Sequence, residues 1–262
     1  MMLVFLKIGF MNRFRVIVPV YNGEKYIEKC LISIMEQDYK NYDVTVIDDY
    51  SDDGTIEIAR NYPVKIHRNE LRSWSGLYGM IPVIRSFDSE DIIVEVDGDD
   101  HLACNDVLSY LNEVYQKNIW LTYGQFAPIS GTFKGFCCPL GYIKYVKNLD
   151  REECFVTTEN YRKGNVWVTS HLRTWKKWLW DKINEEDFKD EDGNYFITAS
   201  DCASMYPMIE MAGEEHIKFI DKILYVYNNL NPCQDEKMLE KFQRDINFIK
   251  NKPSYASISR NI

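Results

Sequence analysis

The stretch VIDDYSDDGT at residues 46–55 and the stretch VEVDGDD at residues 94–100 each begin as an apolar strand and end in a cluster of carboxylates. In an open α/β sheet, ligands bind at the carboxyl ends of the strands. Carboxylates that converge there repel one another unless a cation or hydrogen-bond donors lie between them. The two stretches therefore predict a site for a divalent metal that carries a phosphate-containing ligand.

The surrounding sequence alternates strands with helices. The strand FRVIVPV at residues 14–20 is rich in β-branched residues and runs into a loop at residues 21–23. Further strands are predicted at residues 44–47, 64–67, 92–96 and 119–123, and helices at residues 24–35, 53–60, 76–87 and 105–116, the last one capped by Asn105. This order indicates an α/β fold with a mostly parallel, Rossmann-like sheet that has helices on both faces.

The second half of the chain has a weaker pattern. Residues 124–165 mix Gly, Pro, Lys and aromatic residues without periodicity, so we expect an irregular connection there. The other predictions are a strand at 166–170, a helix from Leu172, a helix at 201–211 capped by Ser200, strands at 217–220 and 223–227, and a polar helix from Asp235. The predicted division is an extension (1–12), a first subdomain (13–124), a less regular second subdomain (125–234) and a helical tail (235–262).

Composition limits the partners and the compartment. The net charge of −9 at pH 7 argues against nucleic-acid binding, which needs accumulated Lys and Arg. The seven cysteines lack any C-x-x-C spacing, so neither disulfides nor a zinc site is predicted, and a reducing cytoplasm is expected. The apolar start at residues 1–11 is broken by Lys7 and is too short to span a bilayer, so no signal peptide or transmembrane segment is predicted.

One basic and aromatic run, RTWKKWLW at residues 173–180, departs from the acidic background. Its spacing predicts an amphipathic helix with buried tryptophans and solvated lysines. The alternative is a helix that faces an acceptor or a membrane, which would attach a cytoplasmic protein peripherally to that membrane. A monomer and a homodimer both remain open.

The loop after the first strand and the first acidic cluster offer groups that suit a nucleotide. Tyr21 can stack on a nucleobase, and Pro19 can hold the turn beside it. Asp49 can accept the ring N–H of uracil or of thymine. The alternative for residues 48–53 is a turn and helix start, since Ser, Asp and Gly are the residues that such a turn needs.

The second acidic cluster suits a metal. Asp97 and Asp99 lie two residues apart beyond a hydrophobic strand, where both can face one pocket. Mn²⁺ and Mg²⁺ take a few oxygen ligands from the protein and leave positions for substrate phosphates. The alternative is a solvated acidic turn at residues 97–100.

These motifs, taken together, resemble glycosyltransferase family 2. VPVYN at residues 18–22, DDYSDDGT at 48–55 and DGDD at 97–100 resemble that family's V-P-x-Y-N strand end, D-D-x-S-x-D-G-T segment and D-x-D element. The resemblance implies a GT-A fold, a nucleotide-diphosphate-sugar donor, in the first place a UDP-sugar, a divalent metal and inversion at the anomeric carbon. Donor binding would then belong to the first subdomain, and acceptor binding and the catalytic base to the second.

The resemblance assigns roles by position. Pro19 and Tyr21 would flank the nucleotide, and Asp49 would contact its nucleobase. Asp97 would contact the ribose or the donor sugar, and Asp99 the metal. Asp100 would share these last two roles.

An inverting transfer also needs a general base to take the proton of the acceptor hydroxyl. ASDC at residues 199–202, followed by MIEM at 208–211, resembles the family's base element, so Asp201 is the predicted base. Relatives often read Glu-Asp where this chain has Ser200 and Asp201. The alternative for Asp201 is a helix-start aspartate favoured by the helix dipole.

Two further residues concern this site. His171 is the predicted additional metal ligand, because a strand at residues 166–170 would deliver it toward the cleft. Residues 69–80 depart from the family pattern, and Arg72 within them, which could neutralise diphosphate charge, is left outside the core site.

The leading interpretation is a metal-dependent inverting glycosyltransferase that uses Mn²⁺ or Mg²⁺. Its acceptor would be a hydroxyl of a glycan or of a lipid-linked or protein-linked molecule. A nucleotidyltransferase is disfavoured because no Gly-rich phosphate loop follows the first strand. The alternative is a catalytically silent nucleotide-sugar or glycan-binding protein of the same fold.

Overall fold

The chain folds around an eight-stranded sheet, with a separate two-stranded sheet beside it. A computed structural model of the protein describes residues 11–131, 135–147, 150–230 and 236–258, without the side chains of residues 142–154 and 236. The strands are β1 (Phe14–Val20), β2 (Tyr42–Asp48), β3 (Lys65–Arg68), β4 (Ile92–Glu95), β5 (His101–Leu102), β6 (Leu121–Pro128), β7 (Gly141–Lys147), β8 (Asp150–Val156), β9 (Arg173–Lys176) and β10 (Ile217–Tyr227). The helices are α1 (Ile27–Met35), α2 (Thr55–Ala59), α3 (Gly76–Arg85), α4 (Val107–Tyr115), α5 (Lys177–Trp180), α6 (Ser200–Ala212) and α7 (Glu236–Asn251).

Strand β1 lies at the centre of the parallel part of the sheet, between β2 and β4. Its alternate side chains enter different hydrophobic layers. Val16 and Val18 pack with residues of α1 and α4, whereas Ile17 packs with residues of α3 and α6. A strand that is apolar on both faces is typical of a parallel sheet between two helix layers. The predicted α/β fold is confirmed.

The sheet has the strand order β3-β2-β1-β4-β9-β6-β10-β5. Strands β6 and β10 pair parallel to each other, and β9 joins them to the first part by pairing antiparallel with both β4 and β6. Strands β9 and β10 come from the predicted second subdomain, yet they lie in the same sheet as β1. The division of the chain at residue 124 stays a prediction.

The run RTWKKWLW does not form the predicted amphipathic helix. Arg173–Lys176 are strand β9, and the helical part is the short α5, Lys177–Trp180. All three tryptophans are buried, as predicted, but Lys177 is buried too, with its Nζ 2.7 Å from a carboxylate oxygen of Asp181. The helix prediction is wrong because strand pairing along both edges of β9 outweighs a local helical spacing. This run does not present a helix to a membrane or an acceptor.

The irregular connection predicted at residues 124–165 is wrong where these residues form strands. Strand β6 continues to Pro128, and β7 and β8 pair antiparallel as a hairpin. The sequence KYVKNLDREEC within this hairpin is too charged to give a continuous apolar pattern, so periodicity did not detect it. A strand is predicted at residues 166–170, but these residues have no regular secondary structure.

Several predicted boundaries shift by a few residues. The strands predicted at 217–220 and 223–227 form the single strand β10, which has register shifts on either side of Ile223. The N-cap position of α4 is Asp106 rather than Asn105. Helix α6 already begins at Ser200, so Ala199, with a φ of 55°, occupies its N-cap position.

The predicted polar helix of the tail is confirmed as α7. Asp235, where that prediction began, and residues 1–10 of the predicted extension lie outside the described residues. Among the helices of the described residues, none combines the length and the apolar character needed to cross a bilayer.

Candidate active site

A cleft of about 320 Å³ opens at the carboxyl ends of β1, β2 and β4. Ser200, the first residue of α6, contributes to its wall. The wall also contains these predicted nucleotide residues: Pro19, Tyr21, Asp49, Asp97 and Asp99. They meet because the carboxyl ends of parallel strands lie at one edge of a sheet.

Gly98 allows the turn of the second acidic cluster to lie against the end of β1. A Cβ at this position would be 2.7 Å from the Val20 side chain and 3.2 Å from the carbonyl oxygen of Pro19. The Gly98 N–H donates to the same Pro19 carbonyl at 3.0 Å. A larger residue would therefore push the turn, and the carboxylates on both sides of it, away from β1.

The first acidic cluster divides into structural residues and one cleft residue. Asp48 is fully buried and accepts a hydrogen bond from the Ser51 N–H at 3.1 Å. Asp53 accepts from the Thr55 N–H at 3.0 Å. The turn alternative therefore describes these two aspartates, whereas Asp49 lines the cleft.

Asp49 is held by the loop at residues 69–75. Its Oδ1 accepts from Asn69 Nδ2 at 2.8 Å, from Ser73 N at 2.9 Å and from Ser73 Oγ at 2.6 Å, and its Oδ2 accepts from Trp74 N at 3.0 Å. Three of these donors share Oδ1, whereas Oδ2 accepts only one of them and keeps a second lone-pair site. Asp49 thus fixes the loop at the cleft, and its Oδ2 can still accept a further N–H.

Arg72, which the sequence interpretation left outside the core site, lies in the cleft wall. Its guanidinium lies over the ring of Tyr21 and, at 4.2 Å from the ring centroid, over that of Trp74. Its Nε is 3.1 Å from Asp49 Oδ2, but the geometry is not that of a hydrogen bond, and neither Nε nor Nη1 has a hydrogen-bond partner among the described residues. In the sequence this residue is an arginine in a polar loop, a pattern it shares with ordinary surface arginines.

Asp97, Asp100 and His171 form a group that could hold a divalent metal. One ligand atom of each lies within 4.8 Å of the others, and His171 Nδ1 is 3.9 Å from Asp97 Oδ2. Asp100 Oδ1 accepts from Asn228 N at 2.6 Å, while Asp100 Oδ2 is buried without a hydrogen-bond partner among the described residues. A buried carboxylate oxygen that lacks a donor is costly unless a cation meets it.

The pKa shifts of Asp97, Asp100 and His171 also favour a bound cation. Burial raises the pKa of Asp97 well above its usual range, with added repulsion from Glu95 and Asp100, and burial raises the pKa of Asp100 to about 7. Burial lowers the pKa of His171 well below its usual range, so its imidazole is neutral, which is the form that binds metals. A divalent ion would remove the repulsion among the carboxylates.

The structure brings His171 close to Asp97, although residues 166–170 before it do not form the predicted strand; its role as a metal ligand stays a prediction. Its ring stacks on that of Tyr225, with 4.7 Å between the centroids. Asp99 lines the cleft but does not belong to the three-residue group. Its role as a metal ligand stays a prediction.

A buried ion-pair chain connects the cleft to the predicted base. Arg173 Nη2 is 3.4 Å from Glu95 Oε1, and Arg173 Nη1 donates to Asp201 Oδ2 at 3.2 Å. Glu95 lines the cleft, whereas Asp201 is not part of its wall. Burial raises the pKa of Glu95, and the neighbouring carboxylates of Glu95 and Asp201 raise the pKa of Arg173 despite its own burial.

Sequence interpretation missed both Glu95 and Arg173. A glutamate between valines in a buried strand was the available signal, because a charged residue is seldom fully buried unless it is paired. Arg173 gave no such signal, because it stands at the start of a run that is predicted to be an amphipathic surface helix.

Comparisons with known proteins find similarity to glycosyltransferases. Residues 15–133 match the family model described as "Glycosyl transferase family 2". An "Uncharacterized glycosyltransferase" of Haemophilus influenzae is 33% identical over 116 residues, which are 43% of this chain and 46% of that protein. The chain thus spans less than half of the length of that relative.

Two solved structures share the fold. Staphylococcus aureus TarS 1–349 in complex with UDP-GlcNAc superposes with a TM-score of 0.59 at 19% identity, covering 90% of this chain and 65% of that one. A mannosyltransferase from Pyrobaculum calidifontis in complex with GDP-Man and Mn²⁺ gives a TM-score of 0.52 at 18% identity, covering 83% of this chain and 57% of that one. At such identities the likeness shows the fold alone.

Proposed function

The chain carries a glycosyltransferase family 2 domain at residues 15–133, within a GT-A fold, and from that premise we propose that it is a metal-dependent inverting glycosyltransferase. We propose a nucleotide-diphosphate sugar as its donor, in the first place a UDP-sugar, and a hydroxyl of a glycan or of a lipid-linked or protein-linked molecule as its acceptor. The observation that carries the proposal is the meeting of Asp49, Asp97 and Asp99 around one cleft beside the Asp97–Asp100–His171 group. The neighbours bound to UDP-GlcNAc and to GDP-Man with Mn²⁺ support the donor class.

The residues of the acidic group fit Mn²⁺ or Mg²⁺. Two carboxylates and a neutral imidazole suit a divalent first-row ion, and the unpartnered Oδ2 of Asp100 gives it a buried oxygen to meet. In this proposal Asp97, Asp100 and His171 would hold the ion, and Asp99 would contribute from the cleft wall. When bound, the metal neutralises the charge that develops on the departing nucleoside diphosphate.

In the proposed reaction, Asp201 takes the proton of the acceptor hydroxyl. The hydroxyl oxygen forms a bond to the anomeric carbon from the side opposite the nucleotide, and the bond from that carbon to the phosphate oxygen breaks with its electron pair. One direct displacement of this kind inverts the anomeric carbon. Arg173 holds Asp201 at the start of α6 and pairs with Glu95 at the cleft, so it links the base to the donor site.

Donor turnover tests this function. Nucleotide release from a panel of UDP-, GDP- and dTDP-sugars is measured with and without Mn²⁺ for the wild type, for Asp99→Asn and for the control Asp106→Asn. Asp106 is a half-buried helix-start aspartate that pairs with Lys222 and does not line the cleft, so its substitution should leave the cleft unchanged. We expect Mn²⁺-dependent release from one donor class, lost in Asp99→Asn and kept in the control.

Other outcomes separate the alternatives. If no donor is turned over but UDP still binds with Mn²⁺, the catalytically silent binding protein is the better description. If no nucleotide binds, the assignment to nucleotide sugars is wrong.

A further inference from the structure

Tyr21 and Trp74 both line the cleft, and the Arg72 guanidinium lies over both of their rings. Tyr21 is 41% exposed and Trp74 is 62% exposed, which is unusual for side chains of this size. A guanidinium is planar and one atomic layer thick, and it stacks on aromatic faces in the same way as a flat ring does.

Arg72 lies 3.1 Å from Asp49 as an ion pair, but two of its nitrogens, Nε and Nη1, are buried and lack hydrogen-bond acceptors among the described residues. The nearby Oδ2 of Asp49 already accepts from the Trp74 N–H. Buried N–H groups of a cation that lack acceptors lower stability, so a phosphate oxygen that offers itself to Arg72 gains a strong, charge-assisted partner.

The loop that carries Arg72 and Trp74 is held in a strained conformation. Trp74 has a φ of 63°, which a large side chain rarely adopts. The hydrogen bonds from Ser73 and Trp74 to Asp49 hold this conformation on one side, and Ser75 Oγ holds it on the other by donating to the Phe196 carbonyl at 2.7 Å. Strain that the surroundings enforce is typical of binding sites. Here it fixes an exposed indole at the mouth of the cleft.

We propose that Tyr21 and Trp74 are a stacking clamp for the nucleobase of the donor, and that Arg72 fills the clamp in the free protein and moves to the diphosphate when the base enters. This inference rests on the proposed function and adds Trp74 and Arg72 to its donor site. When the guanidinium leaves, the space over the two rings becomes available to the base. The positive charge of Arg72 then lies beside the diphosphate of the ligand. The departure of Arg72 also leaves Asp49 Oδ2 with one cation fewer, which favours a base N–H there.

Binding of two ligands tests the exchange. Affinities for uridine and for UDP with Mn²⁺ are measured by calorimetry for the wild type, Trp74→Ala, Trp74→Phe, Arg72→Met and the control Leu71→Ala. Leu71 is an exposed apolar residue of the same loop that does not line the cleft. Loss of one stacking ring weakens base binding roughly 5- to 100-fold, so Trp74→Ala should weaken uridine and UDP alike, while Trp74→Phe and Leu71→Ala should stay close to the wild type.

Arg72→Met gives the discriminating result. It should weaken UDP binding about 10-fold or more, because a charge-assisted partner of the diphosphate is lost, and leave uridine binding unchanged or tighter, because no guanidinium competes for the clamp. Equal weakening of both ligands would mean that Arg72 only supports the loop, and it would overturn the inference. Wild-type affinities in both Trp74→Ala and Arg72→Met would overturn it as well, while leaving the proposed function intact. If the wild type binds neither UDP nor uridine, the proposed function itself fails.

Discussion

Arg173→Met should destabilise the protein strongly, because it leaves the carboxylate of Glu95 buried without its counter-charge. The side chains of Arg173 and Glu95 are only 6% and 12% exposed, and their charged atoms are 3.4 Å apart. At an effective dielectric constant of about 20, a pair at this separation interacts by roughly 5 kcal/mol. Removal of one partner of a buried pair costs about 3–5 kcal/mol in proteins. Asp201, which is 34% exposed, adds less because solvent screens it.

The assay is equilibrium unfolding in urea together with a thermal melt. A loss of about 3–5 kcal/mol lowers the midpoint temperature by on the order of 10 °C for a chain of this size. The double variant Glu95→Gln with Arg173→Met removes the unpaired charge, so it should recover at least half of the lost free energy of unfolding. Arg173→Met should also lower transfer, because Asp201 loses the donor that positions it.

Arg15→Met is the matched control, since Arg15 is a buried arginine at the other end of the sheet. Its side chain is 8% exposed, and it pairs with Asp91 and with Asp43 at 2.6 Å. It should lose a similar amount of stability but keep donor turnover per folded molecule. The reasoning is refuted if Arg173→Met stays within about 1 kcal/mol of the wild type, or if the double variant is no more stable than Arg173→Met.

Three further substitutions test other parts of the structure. Asp201→Asn should keep UDP affinity and lose transfer by about 10²–10⁴-fold, as measured by calorimetry and product formation; transfer near the wild-type rate would mean that another group is the base. His171→Asn should weaken Mn²⁺ binding in a calorimetric titration by about 10-fold or more, and unchanged affinity would remove His171 from the metal site. Arg162→Met should lower the free energy of unfolding by about 3–5 kcal/mol, seen as a lower urea midpoint, because the side chains of Arg162 and its bidentate partner Glu210 are only 1% and 2% exposed. A midpoint close to that of the wild type would show that the pair contributes little.

The parts of the fold that the sequence predicted are those with strong local signals. Strands β1, β2 and β4 are continuous apolar runs rich in β-branched residues, and their predicted bounds differ from the observed ones by no more than a few residues. The meeting of Asp49 with Asp97 then followed from topology alone, because both carboxylates stand at the carboxyl ends of parallel strands.

The predictions failed where the decisive partner is distant along the chain. The run at residues 173–180 has helical spacing, and nothing within it reveals that β4 and β6 will pair with its first four residues. The loop at residues 69–75 is a similar case. Its conformation is set by hydrogen bonds to Asp49, so the place of Arg72 in the cleft could not be read from the loop itself.

The register between β4 and β9 explains two features of the site together. Strand β9 runs antiparallel to β4 with Glu95 opposite Arg173, so the start of β9 lies at the end of β4, where the cleft opens. Two residues beyond Glu95 is Asp97, and two residues before Arg173 is His171. Both residues therefore follow from the paired strand ends, and His171 Nδ1 is 3.9 Å from Asp97 Oδ2. A parallel β9 would carry both Arg173 and His171 to the other end of the sheet. The antiparallel strand β9 thus brings a buried counter-charge to Glu95 and brings His171 beside Asp97, through backbone pairing that neither residue type reveals in the sequence.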